Sequence, residues 1–179
     1  MTVIEAAPRA GAETAPLDGR FRLTQRVGGT GGISVWKATD EVLRRPVTVH
    51  LLPPGVPVEA EVAEAVRASA RVSDPRFATV LDADYCADRP YIISEWAGDP
   101  TIEELLLTGL PSAALAALIV ADAAEALANA HENGRPHLCL RPRSVHWGRG
   151  GLKITGLGTD AALSGADVPA WPPHTSSTP

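Results

Sequence analysis

Apolar and polar positions alternate along "RFRLTQRV", and alternate again along "ISVWKAT" after a glycine-rich break, "GGTGG". Beyond the turn-like "DEVLRR" comes a third run, "PVTVHLL", rich in β-branched residues. A period of two buries one face of a strand and wets the other. These segments therefore predict three antiparallel strands in a meander, with the glycines hinging the first two. The "PPGVP" of residues 53–57 stops the third strand, because proline supplies no ladder donor. The period then changes. Val58, Val62 and Val66 fall at i, i+4 and i+8, and Glu59 and Glu61 stand in the first turn, where a helix favours carboxylates. "SDP" ends that helix. "FATVLDADY" and "RPYIISEW" predict a strand pair joined by "CAD". "TIEELLLTG" predicts a short helix closed by Gly109, and Ser112 caps a long one that runs to Asn133, with Gly134 as its stop.

The rest of the chain is short. "HLCLRPRSVHW" is followed by the turn "GRGG" and the run "LKITGLG". Residues 1–18 are rich in Ala, Pro and Thr without a period and predict a flexible leader; residues 164–179, Pro-rich and small, predict a disordered tail. The expected fold class is α+β, an antiparallel sheet carrying one helix and then a mostly helical part.

Composition narrows the function. Of 179 residues, 45% are apolar and 21% charged, which allows a packed core. The net charge of −5, with no concentrated Lys/Arg block, argues against a nucleic-acid partner. Cys86 and Cys139 lie far apart with no zinc spacing, so they read as free thiols of a reducing compartment. The longest apolar stretch, "LPSAALAALIVADAAEALANA", carries Asp122 and Glu125. It reads as a buried amphipathic helix and not as a membrane span. With no secretory pattern at the start, the expectation is a cytoplasmic chain.

Glycines let a backbone approach a phosphate closely. "GGTGG" leads from strand to strand and not from strand to helix, so it fits a hairpin lid and not a dinucleotide fold. The pieces then fall in a familiar order. "GRFRLTQRVGGTGGISVWKATD", "PVTVHLL", "ASARVSDPRFATVLDAD", "RPYIISEWAGDPTIEELL", "LANAHENGRPHLCLRPRSVHW" and "LKITGLG" together resemble the protein kinase superfamily, most closely bacterial Ser/Thr kinases of actinobacterial type. The resemblance covers about residues 19–163. It implies an N-lobe over 19–97, with an antiparallel sheet and its helix C, and a partial C-lobe over 98–163.

The family's working residues, carried over, are nearly all changed. Gly28, Gly29, Thr30, Gly31, Gly32 and Ile33 stand where a Gly-x-Gly-x-x-Gly loop is usual. His50 replaces the phosphate-binding lysine, and an imidazole lacks its fixed charge. The helix-C glutamate falls at about Ala65, with Glu61 and Glu64 on other faces. Cys139 replaces the aspartate that accepts the substrate proton, Ser144 the metal-binding asparagine, and Gly156 the second metal-binding aspartate. His137, Leu138, Leu140 and Pro142 read as the frame that packs this loop against the core. Losing one charge-stabilising donor often costs on the order of 10²–10³ in rate, and four changes together imply a pseudokinase. Lys37 shares the parity of Val35 and is the one candidate for rescue.

The resemblance implies nucleotide contact at Gly28, Gly29, Gly31, Gly32 and Val35, with backbone hydrogen bonds from Glu95 to Ala97 and Ser94 as gatekeeper. ATP is an optional ligand without strong Mg²⁺ dependence; no cofactor is required and no metal site is expected. The chain stops soon after Gly158, which reads as a truncated product that leaves the long helix short of its usual cover. A homodimer or a regulatory protein partner would cover it, a forkhead-associated-domain protein by analogy with similar degenerate domains. The alternatives are an atypical active Ser/Thr kinase, and a phosphorylated target carrying Thr175, Ser176, Ser177 and Thr178 in its tail.

Overall fold

The computed structural model describes residues 16–29, 32–54, 60–98 and 100–163, and of Glu61 the backbone alone. Val58, Glu59, the Glu61 side chain, Thr30, Gly31 and the expected tail lie outside the described residues. Five strands, β1 (Phe21–Gly28), β2 (Ser34–Asp40), β3 (Arg45–Leu51), β4 (Val80–Asp84) and β5 (Tyr91–Glu95), form one sheet in the order β1-β2-β3-β5-β4. Every neighbouring pair is antiparallel. The fold class is the expected α+β.

Alternation along β3 organises this sheet. Val47, Val49 and Leu51 point to one face, where they pack with Phe21, Tyr91 and Ile93. Thr48 and His50 point to the other. The Cα partners of His50 are Val35 on β2 and Ile92 on β5, which fixes its height in the sheet. Burying each of these valines and isoleucines contributes about 1.5–3 kcal/mol. The helix α1 (Ala60–Ser69) covers the His50 side through Val66, which joins Leu52 and Ile92. Folding extends upstream of Phe21: Leu17 N donates to Phe21 O at 2.8 Å, and Tyr91 Oη donates to Asp18 at 3.1 Å.

The second part contains α2 (Ile102–Thr108), α3 (Ala113–Glu132), the hairpin β6 (Val145–Gly148) with β7 (Gly151–Ile154), and α4 (Thr159–Leu163). Ser112 caps α3 through Leu115 N, as the sequence predicts, and Thr101, expected inside α2, instead opens it with a capping box. The core of this part joins Phe77, Ile119, Ala126, Ala130, Ile154 and Leu157. Ile154 N donates to Arg76 O at 2.7 Å and accepts from Ala78 N at 2.8 Å through its carbonyl, which stitches β7 to the chain before β4.

Two expectations are corrected, and one element is added. The strand expected from Phe77 begins at Val80, because Phe77 is drawn into the α3 core instead. The short α4 has no counterpart in the sequence reading. And α3 is not a buried helix. Only Ile119, Ala126 and Ala130 are buried along it, because it packs on one side alone. It is the one described helix long and apolar enough to cross a membrane by length and composition, and little of it is buried. Yet Arg76, bonded to Asp74, also pairs with Glu125 at 3.2 Å, and Asn129 donates to Asp74 at 3.0 Å. Those polar ties fasten α3 to the loop before β4.

Candidate functional site

A cleft of about 390 Å³ opens between the sheet and the second part. Its upper wall comes from Gly28, Gly29, Val35 and the polar side of β3, Thr48 and His50; Trp96 flanks it after β5. The residue after β1 is forced to be glycine. Gly29 has φ 137°, and a Cβ there would collide with Ile33 O and stand 2.8 Å from Ser34 Cα.

The lower wall is the loop after α3. His137 is buried and its Nε2–H donates to Thr155 O at 2.8 Å. A single 3₁₀ turn, Pro142–Ser144, then brings Ser144 into the interior. Thr155 N and Thr155 Oγ1 both donate to Ser144 O, at 2.8 and 3.3 Å. Leu138 and Leu140 do not pack the loop inward as expected. Leu138 has φ 59°, which turns its side chain outward, and the two remain 47% and 41% exposed. The imidazole and the backbone bonds hold the loop in their place.

Thr155 leads to Gly156, where the chain turns with φ 83°. Thr159 N and Asp160 N both donate to Gly156 O, at 3.1 and 3.0 Å, and start α4 back over the glycine. A Cβ on Gly156 would collide with the Asp160 carboxylate. Ser144 Oγ donates to Asp160 Oδ2 at 3.4 Å. Gly158 lets α4 close on α1, since a Cβ there would lie 3.0 Å from Ala65 O. Leu163 then packs near Val66 and reaches the cleft. Across the cleft, burial pushes the His50 imidazole below its ordinary 6.5, while the Asp160 carboxylate acts in the opposite sense.

No model of a known protein family matches the chain. Curated proteins do. The serine/threonine-protein kinase PknA of Mycobacterium tuberculosis is 32% identical over 174 residues, 90% of this chain and 39% of that protein. The serine/threonine-protein kinase PrkC of Bacillus subtilis is 27% identical over 169 residues, 90% of this chain and 25% of that protein. The serine/threonine-protein kinase PknL of Mycobacterium tuberculosis is 24% identical over 173 residues, 93% of this chain and 43% of that protein. The chain is a protein kinase-like superfamily member. It spans less than half the length of the relatives it matches.

In this kinase-like chain the sequence-predicted positions converge. Gly28, Gly29, Val35, His50, Cys139 and Ser144 all line the cleft, and Gly156 adjoins it through Asp160. Gly32 lies beside Pro53, Glu95 pairs with Lys153 at 2.9 Å, and neither lines the cleft; nor does Ala97. Gly31 is outside the described residues. Ser94 is buried in β5 opposite Thr48. Lys37 is not among the residues that line the cleft; its Nζ stands 4.5 Å from the centroid of the Trp96 ring that flanks it. Glu64 is exposed and bonds Arg67 on its own helix.

At the two positions where the family holds its metal ions this chain has Ser144 and Gly156, neither of them a carboxylate or an amide. Among the described residues no three His, Cys, Asp or Glu side chains converge as metal ligands. Near Gly156 the cleft offers one carboxylate, Asp160, already in contact with Ser144. A magnesium ion takes an octahedral oxygen shell in which one or two carboxylates are joined by phosphate oxygens and water. Asp160 is the residue sequence reasoning missed. Its signal was its spacing, one helical turn after a glycine that occupies an acid's position.

Proposed function

We propose that this is a catalytically degenerate protein kinase-like domain, a pseudokinase that works as a regulatory or protein-interaction module. The single observation behind this reading is that His50, Cys139 and Ser144 line one cleft beside Gly156. Phosphoryl transfer is nearly all positioning and charge neutralisation, so the lysine, the base and both metal-binding groups are needed together. Their replacements supply an imidazole that burial disfavours from protonating, a thiol, a hydroxyl and a hydrogen atom. The imidazole, the thiol and the hydrogen atom lack the charge of the groups they replace, and the hydroxyl replaces a neutral amide with a shorter reach. Cytoplasmic placement and optional nucleotide contact through Gly28, Gly29 and Val35 belong to the same reading. So does a protein partner. The exposed Leu118 and Val120 of α3, and Leu107 and Leu110 beside it, support an interaction face. A forkhead-associated-domain protein as that partner, or a second copy, is proposed by analogy alone.

The test is transfer of labelled γ-phosphate from ATP to a generic protein acceptor and to the chain itself, with Mg²⁺ and with Mn²⁺. Background incorporation in all arms is expected. Incorporation that falls on Cys139→Ala would overturn the reading. One observation favours the second reading, an atypical Ser/Thr kinase: Asp160 brings a carboxylate to the space an acid at position 156 would use. Under that reading transfer is detectable and is abolished by Asp160→Asn.

A further inference from the structure

The chain crosses between the sheet and the second part at two places, just before β4 and just after β5. Glu95 N donates to Thr79 O at 2.9 Å, so the two crossings lie side by side. The hairpin β6–β7 holds both of them. His146 and Lys153 are Cα partners across it, which puts their side chains on one face. Lys153 Nζ pairs with the Glu95 carboxylate at 2.9 Å and donates to Pro75 O at 2.7 Å. His146 Nδ1–H donates to Gly98 O at 2.7 Å, and Trp147 N, next along the strand, donates to Pro100 O at 3.2 Å. One cross-strand pair thus grips the connecting segment at Glu95 and again at Gly98. Trp96 stands between those two points, and both Trp96 and His146 line the cleft.

Swinging one part against the other on this segment would break these bonds together and leave the ammonium and the imidazole without these acceptors. On the other side of the cleft the parts meet through α4 and α1, with Leu163 packed near Val66. We propose that His146 and Lys153 form a clamp that holds the two parts at one opening, so that the cleft and the faces around it keep a single shape. An enzyme that turns over must open its cleft to release product. A surface already fixed in its binding shape loses less to ordering when a partner docks. The inference goes beyond the pseudokinase reading and rests on the hairpin geometry alone.

The test measures the opening directly on the full chain. Spin labels at Cys86, which is exposed between β4 and β5, and at Leu118→Cys on the exposed side of α3, in a Cys139→Ser background, report the distance between the parts by pulsed electron resonance. One narrow distance population is expected in this parent chain. A broader one is expected when His146→Leu and Lys153→Met are added. His146→Asn with Lys153→Arg keeps both donors and should restore the narrow population. In the Leu/Met chain the amides of Glu95 and Trp147 should exchange with solvent about tenfold faster, while those of β3 are unchanged. If the Leu/Met chain does not fold, the two single variants decide. An unchanged distance population overturns the inference and leaves the α1–α4 contact holding the parts. A broadening that the Asn/Arg chain fails to reverse also overturns it, as does exchange that rises equally in β3, which is loss of stability alone. None of these outcomes bears on γ-phosphate transfer, so the pseudokinase reading stands or falls separately.

Discussion

Replacing Gly156 with alanine isolates the contact that distinguishes this cleft. Two costs combine. The backbone at Gly156 has φ 83°, a region that costs an L-residue about 1–2 kcal/mol. The new Cβ would also land on the Asp160 carboxylate, which must then turn away and release Ser144 Oγ from its 3.4 Å contact. A hydrogen bond to a charged group contributes about 1.5–3 kcal/mol at good geometry, so at this length about 1 kcal/mol is the appropriate figure. Gly156→Ala alone should therefore cost about 2–3 kcal/mol. In an Asp160→Ala background the collision is absent, and only the backbone cost of about 1–2 kcal/mol remains. Chemical denaturation of the wild type, both single variants and the double variant measures the coupling directly, expected at about 1 kcal/mol with the double variant more stable than additivity predicts. Additivity within about 0.3–0.5 kcal/mol would refute the placement of Asp160 over Gly156. The same geometry predicts that Gly156→Asp, intended to restore a metal-binding acid, destabilises the protein unless position 160 is shortened as well.

Other consequences are open to simpler assays. Arg76→Ala removes the guanidinium that bonds the buried Asp74 carboxylate and Glu125, and is expected to cost about 3 kcal/mol by thermal denaturation; a loss under about 1 kcal/mol would mean the carboxylate is satisfied without it. The Arg20 guanidinium holds the Asp40 carboxyl down at about 2, and Arg76 holds Asp74 lower still. Both folded-state values lie below the ordinary 3.8, so this stability is present above about pH 4 and lost as pH falls toward about 2. Circular dichroism through an acid titration should show unfolding in that window, and Arg20→Ala should move its onset to higher pH; an unmoved onset counts against the pair. Thr101→Ala breaks the capping box of α2, which should cost about 1 kcal/mol and speed amide exchange in residues 102–105. Unchanged exchange there would show that the cap is not what holds the helix.

What could be read in the sequence was the frame. Alternation in "PVTVHLL" puts Val47 and Val49 in the core and His50 on the cleft side, because a strand has only two faces. The cap at Ser112 was legible for a similar reason: a cap is a local bond between near neighbours. Long-range choices were not. Nothing local in "FATVLDADY" says that Phe77 leaves the sheet for α3. Nothing local in "LIVADAAEAL" says how much of that helix is covered. The loop at 137–145 was half legible. Its spacing brings Cys139 and Ser144 to the cleft, but Leu138 and Leu140 face outward, since one positive φ reverses a side chain. Asp160 was hidden by the habit of matching acid to acid at the same position.

That last miss has a physical meaning. A cleft is characterised by where charge sits in space, and the same volume can be reached from more than one point on the chain. Gly156 has no side chain, and the room this leaves is entered by a carboxylate from the next helical turn, made possible by Gly158 and by the two amide bonds that fold α4 back. The opposite wall did not keep a matching positive charge, because the residue across the cleft is a buried imidazole that burial disfavours from protonating. An active kinase cleft balances phosphate against lysine and metal; here the balance among described residues is three carboxylates against one guanidinium. If Asp160→Asn tightens phosphate binding while leaving the melting transition in place, then charge placement and not cleft shape governs what this domain holds.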